Sequence, residues 1–499
     1  MRKVFLGLTF SLIFLAAALG LVQWSRYETY HSVFPQSSRL GGIPVDGLTP
    51  EEAADRLKAV YTAPVELRIG EDAVHLMPES LGFRVNVEAM LDQARMAWME
   101  RPALAGYWDY LWNRNGSEID IPLDAIFDPQ QAAAYLEQEV LPRYAYPASP
   151  GAWLAGTRTF TAGQPGRSLE KQGVIERLEA ALRSPEERSI RIDVNESDAP
   201  PVPVAELEYS LRSALQAARF RGVVELYFHD LRHDRVLHFA LNRGQEIDTG
   251  VAFTAASTMK IPIMVSTLLR TEEPPSDAVQ SWFERMIVYS ENPPADSLMK
   301  QIDEIAGPLR VTDDLHALGL ENSFIAGYFA LGSPLLNIYE TPANRRTDVN
   351  LSPDIYNQTT PEEIGLLLEA IYRCAAGEPN RFEEVFPGRL MQSECELMIS
   401  YLRENKIGAL IEAGLAEGTP LAHKHGWIEE SDGLLHTLSD VGIVFTPGGD
   451  YVLAVYLWDP EQLLFTQANA LVAEIANLTY NFMNPDQPAP WYFGEVRYR

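Results

Sequence analysis

Residues 253–264, FTAASTMKIPIM, place a serine and a lysine three positions apart at the start of an apolar segment. Residues with this spacing lie on one face of a helix, so the amine of Lys260 can reach the hydroxyl of Ser257. A lysine accepts a proton only in its neutral form, and burial lowers its pKa toward that state. The stretch therefore predicts a serine nucleophile and its proton acceptor at the N-terminus of a helix.

The same Ser-x-x-Lys spacing occurs twice more, at Ser168 with Lys171 and at Ser297 with Lys300. The first match lies in a Gly/Pro-rich turn before a polar helix, and the second lies on a predicted helix. Context therefore favours Ser257 as the nucleophile.

Length and composition limit the possible classes of protein. A chain of 499 residues is expected to hold two to four domains. A formal net charge of −29 argues against a nucleic-acid partner. The sequence contains no zinc-type motif, so no metal site is expected. Cys374 and Cys395 could pair outside the cytoplasm, or both could be buried free thiols, because spacing alone does not decide.

The N-terminus carries an apolar segment of membrane-spanning length. Residues 4–22, VFLGLTFSLIFLAAALGLV, contain no charged side chain, and about 20 apolar residues cross a bilayer. Arg2 and Lys3 favour a cytoplasmic N-terminus, which places the rest of the chain outside the cytoplasm. We therefore expect residues 1–30 to be a signal anchor of a single-pass membrane protein. A cleaved signal peptide, giving a secreted protein, is the alternative.

Residues 38–200 alternate short strand patterns with helix patterns. A similar order of elements recurs from residue 119, which predicts two small α+β units with a boundary near residue 116. Residues 187–207 are acidic and then rich in proline, so they predict a linker.

Three pieces of this region resemble the peptidoglycan-binding domain of VanW-type exported proteins: VDGLTPEEAADRL, LGFRV and FTAGQPGRSLEKQGVIERL. The resemblance implies that residues 38–200 bind the cell wall.

Residues 205–485 read as a larger, separate unit. Residues 222–242 alternate and turn like a β-hairpin, and residues 420–459 predict three adjacent antiparallel strands. An apolar helix is expected to follow Ser257.

Three short motifs follow one another in this unit: Ser257 with Lys260, Ser290-Glu291-Asn292, and Lys424-His425-Gly426. Their order and their flanks, FTAASTMKIPIM and QTTPEEIGLLLEAIY, resemble class A β-lactamases and penicillin-binding proteins. The resemblance implies an α+β fold with an antiparallel sheet flanked by helices, plus a helical lobe.

The resemblance also implies roles for the catalytic side chains. Ser257 would be acylated, and Lys260 would exchange its proton. Ser290 would relay a proton to the leaving nitrogen. Lys424 would bind the carboxylate of the substrate and tune the electrostatics of the site.

Further residues would bind the substrate. Asn292 would bind its amide carbonyl, and His425 would contact its carboxylate. Gly426 belongs to the same substrate-binding set, and the backbone N–H groups of Ser257 and Trp427 would form an oxyanion hole. The resemblance implies no cofactor.

Two positions depart from the family pattern, because Glu291 replaces an Asp and His425 replaces a Thr or Ser. Class A β-lactamases also use a loop glutamate to activate water for deacylation. Glu340 with Asn344 has the matching spacing, although upstream of the expected position, and Asp348 is the second candidate. Asp354 also lies near the expected distance but has a shorter side chain than glutamate.

Two classes of function follow. The first is a serine hydrolase that opens β-lactam rings or cleaves related amides of peptidoglycan stem peptides. The second is a penicillin-binding protein similar to a D,D-peptidase, or a cell-wall binding or tethering protein that does not turn over its acyl group. Turnover of the acyl-enzyme separates the two classes.

Overall fold

A computed structural model describes five stretches of the chain: residues 2–98, 102–112, 114, 118–405 and 407–492. The chain divides into two compact units. The N-terminal unit comprises residues 1–149 and 164–199, and the C-terminal unit comprises residues 150–163 and 200–499. The predicted boundary near residue 116 lies outside the described residues.

The N-terminal unit mixes helices with short strands. Its helices are α1 (Arg2–His31), α2 (Pro50–Tyr61), α3 (Val87–Trp98), α4 (Ala103–Leu111), α5 (Pro129–Tyr135) and α6 (Val174–Arg183), and α5 continues into π-helical and 3₁₀ turns at Leu136–Val140 and Leu141–Arg143. Its strands are β1 (Arg39–Leu40), β2 (Ile43–Pro44), β3 (Val65–Ile69), β4 (Asp72–Leu76), β5 (Phe83–Val85), β6 (Asp120–Ile121), β7 (Ala125–Phe127), β8 (Gly166–Leu169), β9 (Ser189–Ile192) and β10 (Val194–Ser197).

Strand pairing joins the early and late parts of this unit. β3 pairs in parallel with β9, β1 pairs with β6, and β5 pairs with β7. One hydrophobic core extends from Phe34 to Ile192. The expectation of two separate α+β units is therefore wrong, because each half supplies strands to sheets that the other half completes.

The predicted linker at residues 187–207 is wrong for its first half. Residues 189–197 form β9 and β10. Ile190 and Ile192 alternate with exposed residues and are buried in the core of the N-terminal unit. The sequence analysis predicted a linker because it gave more weight to the acidic and proline-rich composition of residues 187–207 than to this alternation.

Helix α1 is a candidate membrane span by its length and composition alone. Within Phe5–His31, an 18-residue segment has a mean hydropathy of 2.4, and none of that segment is buried. A signal peptide would have the same composition.

The C-terminal unit contains the longer elements. Its helices are α7 (Val204–Ala218), α8 (Lys260–Leu268), α9 (Asp277–Phe283), α10 (Asn292–Ile302), α11 (Gly307–Ala317), α12 (Pro361–Ala375), α13 (Arg381–Val385), α14 (Gln392–Arg403), α15 (Ile411–Gly414) and α16 (Phe465–Met483), with a 3₁₀ turn at Ala256–Met259 and a π-helical turn at Glu284–Val288. Its strands are β11 (Val223–Asp230), β12 (Arg235–Asn242), β13 (Gln245–Ile247), β14 (Phe253–Thr254), β15 (Phe324–Ile325), β16 (Asn357–Thr359), β17 (Leu421–Glu429), β18 (Leu435–Val444) and β19 (Tyr451–Trp458).

An antiparallel sheet in the order β13-β12-β11-β19-β18-β17 organises this unit. The predicted hairpin is β11 with β12, and the three predicted adjacent strands are β17, β18 and β19, so both predictions are confirmed. One hydrophobic core contains α8 together with the helices of the helical lobe, which are α9, α10, α11, α12 and α14. A second hydrophobic core contains α7 and α16. Strand β17 is the edge strand on the side of Ser257.

Residues 150–163 leave the N-terminal unit and pack within the C-terminal unit. Phe160 is buried, and its ring lies edge-on to that of Phe482 at 5.7 Å. Arg158 forms an ion pair with Glu474 at 2.6 Å. The sequence analysis assigned this segment to the wrong unit, because its fold depends on contacts more than 300 residues away in the chain.

Cys374 on α12 and Cys395 on α14 form a disulfide. The two cysteines therefore pair, which the sequence analysis had left open.

Candidate active site

Ser257, the predicted nucleophile, sits on a tight turn that other residues hold in place. Ser257 lies in the 3₁₀ turn that leads into α8. The preceding residue, Ala256, has a φ of 49°, which side-chain-bearing residues rarely adopt. Its N–H donates to the side-chain oxygen of Asn357 at 2.7 Å. This contact helps to fix the backbone directly before the nucleophile.

Lys260 is fully buried beneath Ser257 and contacts neutral oxygens. Its Nζ lies 3.0 Å from Ser257 Oγ, 2.9 Å from Asn292 Oδ1 and 2.6 Å from the carbonyl oxygen of Ser290. Burial lowers the pKa of Lys260 to about 7, although the negative charges of Asp296 and Glu291 act in the opposite direction. A substantial fraction of this amine is therefore neutral near pH 7 and able to accept the Ser257 proton.

Ser290 connects the nucleophile with a second lysine. Its hydroxyl lies 3.2 Å from Ser257 Oγ and accepts a hydrogen bond from Lys424 Nζ at 2.9 Å. Ser290 has a left-handed φ of 58°, and Glu291 extends the chain into α10. Burial lowers the pKa of Lys424 well below its usual value, and the neighbouring Lys260 charge lowers it further.

Gly426 lets strand β17 approach the nucleophile turn closely. A Cβ atom at this position would lie 2.7 Å from the carbonyl oxygen of Ala255 and 3.0 Å from the Thr258 methyl group. These distances are shorter than a side chain tolerates, so glycine is needed for the contact. The next residue, Trp427, is thereby brought to the cleft beside Ser257.

A cleft of about 460 Å³ opens above Ser257. Its lining is largely apolar and aromatic: Ala256, Ser257, Asn292, Gly327, Tyr328, Phe329, Ala330, Leu331, Gly332, Ser333, Asp354, Tyr356, Asn357, Trp427 and Ile428. Asp354 is the one charged side chain in this lining among the residues that the structure describes.

The loop that forms one wall of the cleft depends on a carboxylate that the sequence analysis missed. Asp296 on α10 is buried and accepts hydrogen bonds from the backbone N–H groups of Phe329 and Ala330 at 2.7 and 2.9 Å. Burial raises the pKa of Asp296. Its position on α10, one helical turn after Asn292, was the only available signal.

His425 does not line the cleft. It is buried and stacks on Trp427, with 4.3 Å between ring centroids. Burial lowers the pKa of His425, and the nearby charge of Lys424 lowers it further. The imidazole of His425 is therefore neutral. His425 is not among the residues that line the cleft, and its direct contact with a substrate carboxylate stays a prediction.

Neither predicted deacylating carboxylate, Glu340 or Asp348, is among the residues that line the cleft. The side chain of Glu340 is 74% exposed and lies 3.9 Å from Arg345, outside the residues that line the cleft. Asp348 is paired with Arg346 at 2.6 Å and is also absent from the lining. Asn344, the partner expected for Glu340, instead donates to Gln358. The spacing of Glu340 and Asn344 therefore does not create a water-binding pair.

Asp354 is the carboxylate that faces the cleft. Burial raises its pKa, and its carboxylate accepts a hydrogen bond from the Tyr356 N–H at 2.9 Å. Its second oxygen lies 3.4 Å from the side-chain nitrogen of Asn357, which also holds Ala256. The sequence analysis noted that Asp354 lies near the expected distance from the motif QTTP but ranked Glu340 and Asp348 above it.

The two other Ser-x-x-Lys matches do not form comparable sites. Ser168 lies on β8 with its hydroxyl on the Asn195 carbonyl oxygen, and Lys171 pairs with Glu137 at 3.9 Å. Ser297 lies within α10, where its hydroxyl bonds to the helix backbone. Among the described residues, no group of His, Cys, Asp or Glu side chains could hold a metal ion.

One match to a protein-family model lies within the C-terminal unit. A sequence model of the beta-lactamase enzyme family matches residues 266–483, which include Ser290 and Lys424 but begin after Lys260. The match supports a serine β-lactamase-like domain with a mixed α+β fold.

Several solved structures are similar to part of the chain. PBP-A is 19% identical, with a TM-score of 0.41, and the match covers 57% of this chain and 98% of that chain. A class A β-lactamase from Bacteroides cellulosilyticus DSM 14838 is 17% identical, with a TM-score of 0.39 and coverage of 56% and 97%. A β-lactamase from Desulfarculus baarsii DSM 2075 is 17% identical, with a TM-score of 0.40 and coverage of 56% and 98%. No curated protein matches the chain.

Proposed function

We propose that the C-terminal unit is an exported serine hydrolase that opens a β-lactam ring or cleaves a related cell-wall amide through an acyl-enzyme at Ser257. The observation that carries the proposal is the buried Lys260 amine, 3.0 Å from Ser257 Oγ, with a pKa of about 7. An amine of this kind suits general base catalysis near neutral pH.

The proposed acylation moves one proton through the site. Lys260 takes the proton of Ser257 as Oγ bonds to the substrate carbonyl carbon. The carbon–nitrogen bond then breaks, and Ser290 passes a proton from Lys260 to the leaving nitrogen. Water subsequently cleaves the ester at Ser257, which releases a carboxylic acid and restores the hydroxyl.

Other groups bind the substrate and stabilise charge. The backbone N–H groups of Ser257 and Trp427 would hold the oxyanion, and losing one such donor typically costs about 10²–10³-fold in rate. Asn292 would bind the amide carbonyl of the substrate. Lys424 would hold the Ser290 hydroxyl in position and attract a substrate carboxylate.

We predict a single acylation site. Incubation with benzylpenicillin should add the mass of one ring-opened penicillin to the intact protein, and Ser257→Ala should show no adduct. Peptide mapping should place the adduct on Ser257. An adduct that persists in Ser257→Ala, or that maps to Ser168 or Ser297, would contradict the assignment.

A second candidate function is a penicillin-binding or tethering protein that keeps its acyl group. The exposed position of Glu340 favours this candidate, because no glutamate lines the cleft among the described residues. Asp354 is the side chain there that could orient water. Turnover therefore depends on Asp354.

We expect Asp354→Asn to acylate normally and to hold the adduct longer, by at least about 10²-fold, the lower range of general base catalysis. Glu340→Gln is the matched control from the same loop and should leave the adduct lifetime unchanged. Lifetimes can be measured by intact mass after removal of excess penicillin.

A longer lifetime in Glu340→Gln would return the role to that residue. A wild-type adduct that persists for hours would favour the second candidate function over the hydrolase.

We further propose that the N-terminal unit binds peptidoglycan and that α1 anchors the protein in the cytoplasmic membrane. A cleft of about 680 Å³ in this unit combines apolar side chains, including Phe83 and Leu91, with three basic side chains, among them Arg84, and three carboxylates. The detergent-solubilised full chain should sediment with isolated sacculi, and Arg84→Ala should weaken this binding. No sedimentation of the wild type would leave the unit as a spacer.

A further inference from the structure

Helix α4 packs one of its faces against the end of α1. Tyr107 donates a hydrogen bond to the carbonyl oxygen of Gly20 at 3.2 Å, and its ring lies 5.0 Å from that of Trp24. A Cβ atom at Gly106 would collide with the hydroxyl group of Tyr27, so glycine permits the two helices to approach closely.

The opposite face of α4 is apolar and exposed. Leu104, Trp108 and Leu111 are 79%, 57% and 43% exposed, and Trp112, just after the helix, is 64% exposed. Spacings of four and three residues align these side chains along one stripe. Asp109, the one charged residue of α4, instead lines a small cavity together with Tyr27 and Tyr30 of α1. An exposed patch of this kind marks an interaction surface.

The level at which α4 packs along α1 indicates which environment surrounds the exposed apolar side chains of α4. The uncharged run at residues 4–22 is about 29 Å long at 1.5 Å per helical residue, which is close to the roughly 30 Å hydrocarbon core of a bilayer. Gly20 therefore lies near the outer end of the span. Trp and Tyr side chains concentrate at this level of membrane proteins, where an apolar ring and a polar group can both be satisfied.

We propose that α4 is an interfacial helix whose stripe of Leu104, Trp108, Leu111 and Trp112 enters the outer leaflet beside α1. The proposal rests on the proposed membrane anchor and is independent of the chemistry at Ser257. The partner of this stripe is lipid at the boundary between headgroups and acyl chains, because the stripe continues the exposed apolar surface of α1. Interfacial helices bury their apolar face about 5–10 Å into this boundary.

Single-cysteine labelling can test the proposal on the full-length protein. Both native cysteines are in the disulfide, so an introduced cysteine is the free thiol. Leu104→Cys and Leu111→Cys would carry an environment-sensitive fluorophore in phosphatidylcholine vesicles that contain spin-labelled lipid. Leu12→Cys within α1 tests the anchor, and Ile126→Cys, an exposed apolar position on β7, is the matched control.

We expect labels at Leu104 and Leu111 to lose most of their emission when the spin label is shallow, near the acyl carbonyl groups. The label at Leu12 should be quenched most by a deep spin label, and the label at Ile126 by aqueous iodide. If lipid spin labels quench the label at Leu12 but aqueous iodide quenches the labels at Leu104 and Leu111, the α4 proposal is wrong and the anchor proposal stands. Absence of lipid quenching at Leu12 would overturn both, and equal lipid quenching at Leu104 and Ile126 would remove any special role for α4.

Discussion

The burial of the Lys260 amine is the constraint on which the active site depends. Among the described residues, Lys260 forms no ion pair, and a buried ammonium ion costs several kcal/mol when it lacks one. Releasing the proton removes that cost, and the pKa falls to about 7 as a result. The oxygens around Nζ belong to Ser257, Ser290 and Asn292, so the three motif residues are positioned by the same amine.

Strand β17 supplies Lys424 and Gly426 to the candidate site, and its pairing with β18 holds the strand in place. Its register with β18 is continuous from Leu421 to Ile428, and hydrophobic cores cover both faces of the sheet. Lys424 therefore reaches Ser290 from a rigid element, and Gly426 allows the strand to approach the turn of Ser257. Rigid placement of this kind is what electrostatic stabilisation of an oxyanion requires.

Much of the candidate active site could be predicted from the sequence, because Ser257, Ser290 and Lys424 lie in short motifs that follow one another in a recognisable order. The carboxylate that lines the cleft could not be predicted in the same way. Glu340 has the expected spacing, but the path of its loop turns the side chain to solvent, whereas Asp354 is brought to the cleft by contacts with Tyr356 and Asn357. Such loop paths depend on tertiary contacts that spacing does not encode.

The fold was predictable where patterns were long and local, as in the hairpin of β11 and β12. The sequence analysis misassigned two segments, residues 189–197 and residues 150–163, for different reasons. In the first segment, an alternating strand pattern was hidden by acidic and proline-rich surroundings. In the second segment, Phe160 and Arg158 find their partners on α16, far along the chain, and no local pattern indicates that choice.

The most direct test of the account is the protonation state of Lys260 itself. The side-chain ¹³Cε resonance of Lys260 can be assigned by comparison with Lys260→Arg and followed from pH 5 to pH 10. The account predicts a titration near the pKa of about 7, with the amine losing its proton as pH rises and acylation of Ser257 accelerating over the same range. A Lys260 that titrates near the ordinary lysine value of about 10.4, or acylation that does not change between pH 6 and pH 8, would contradict it.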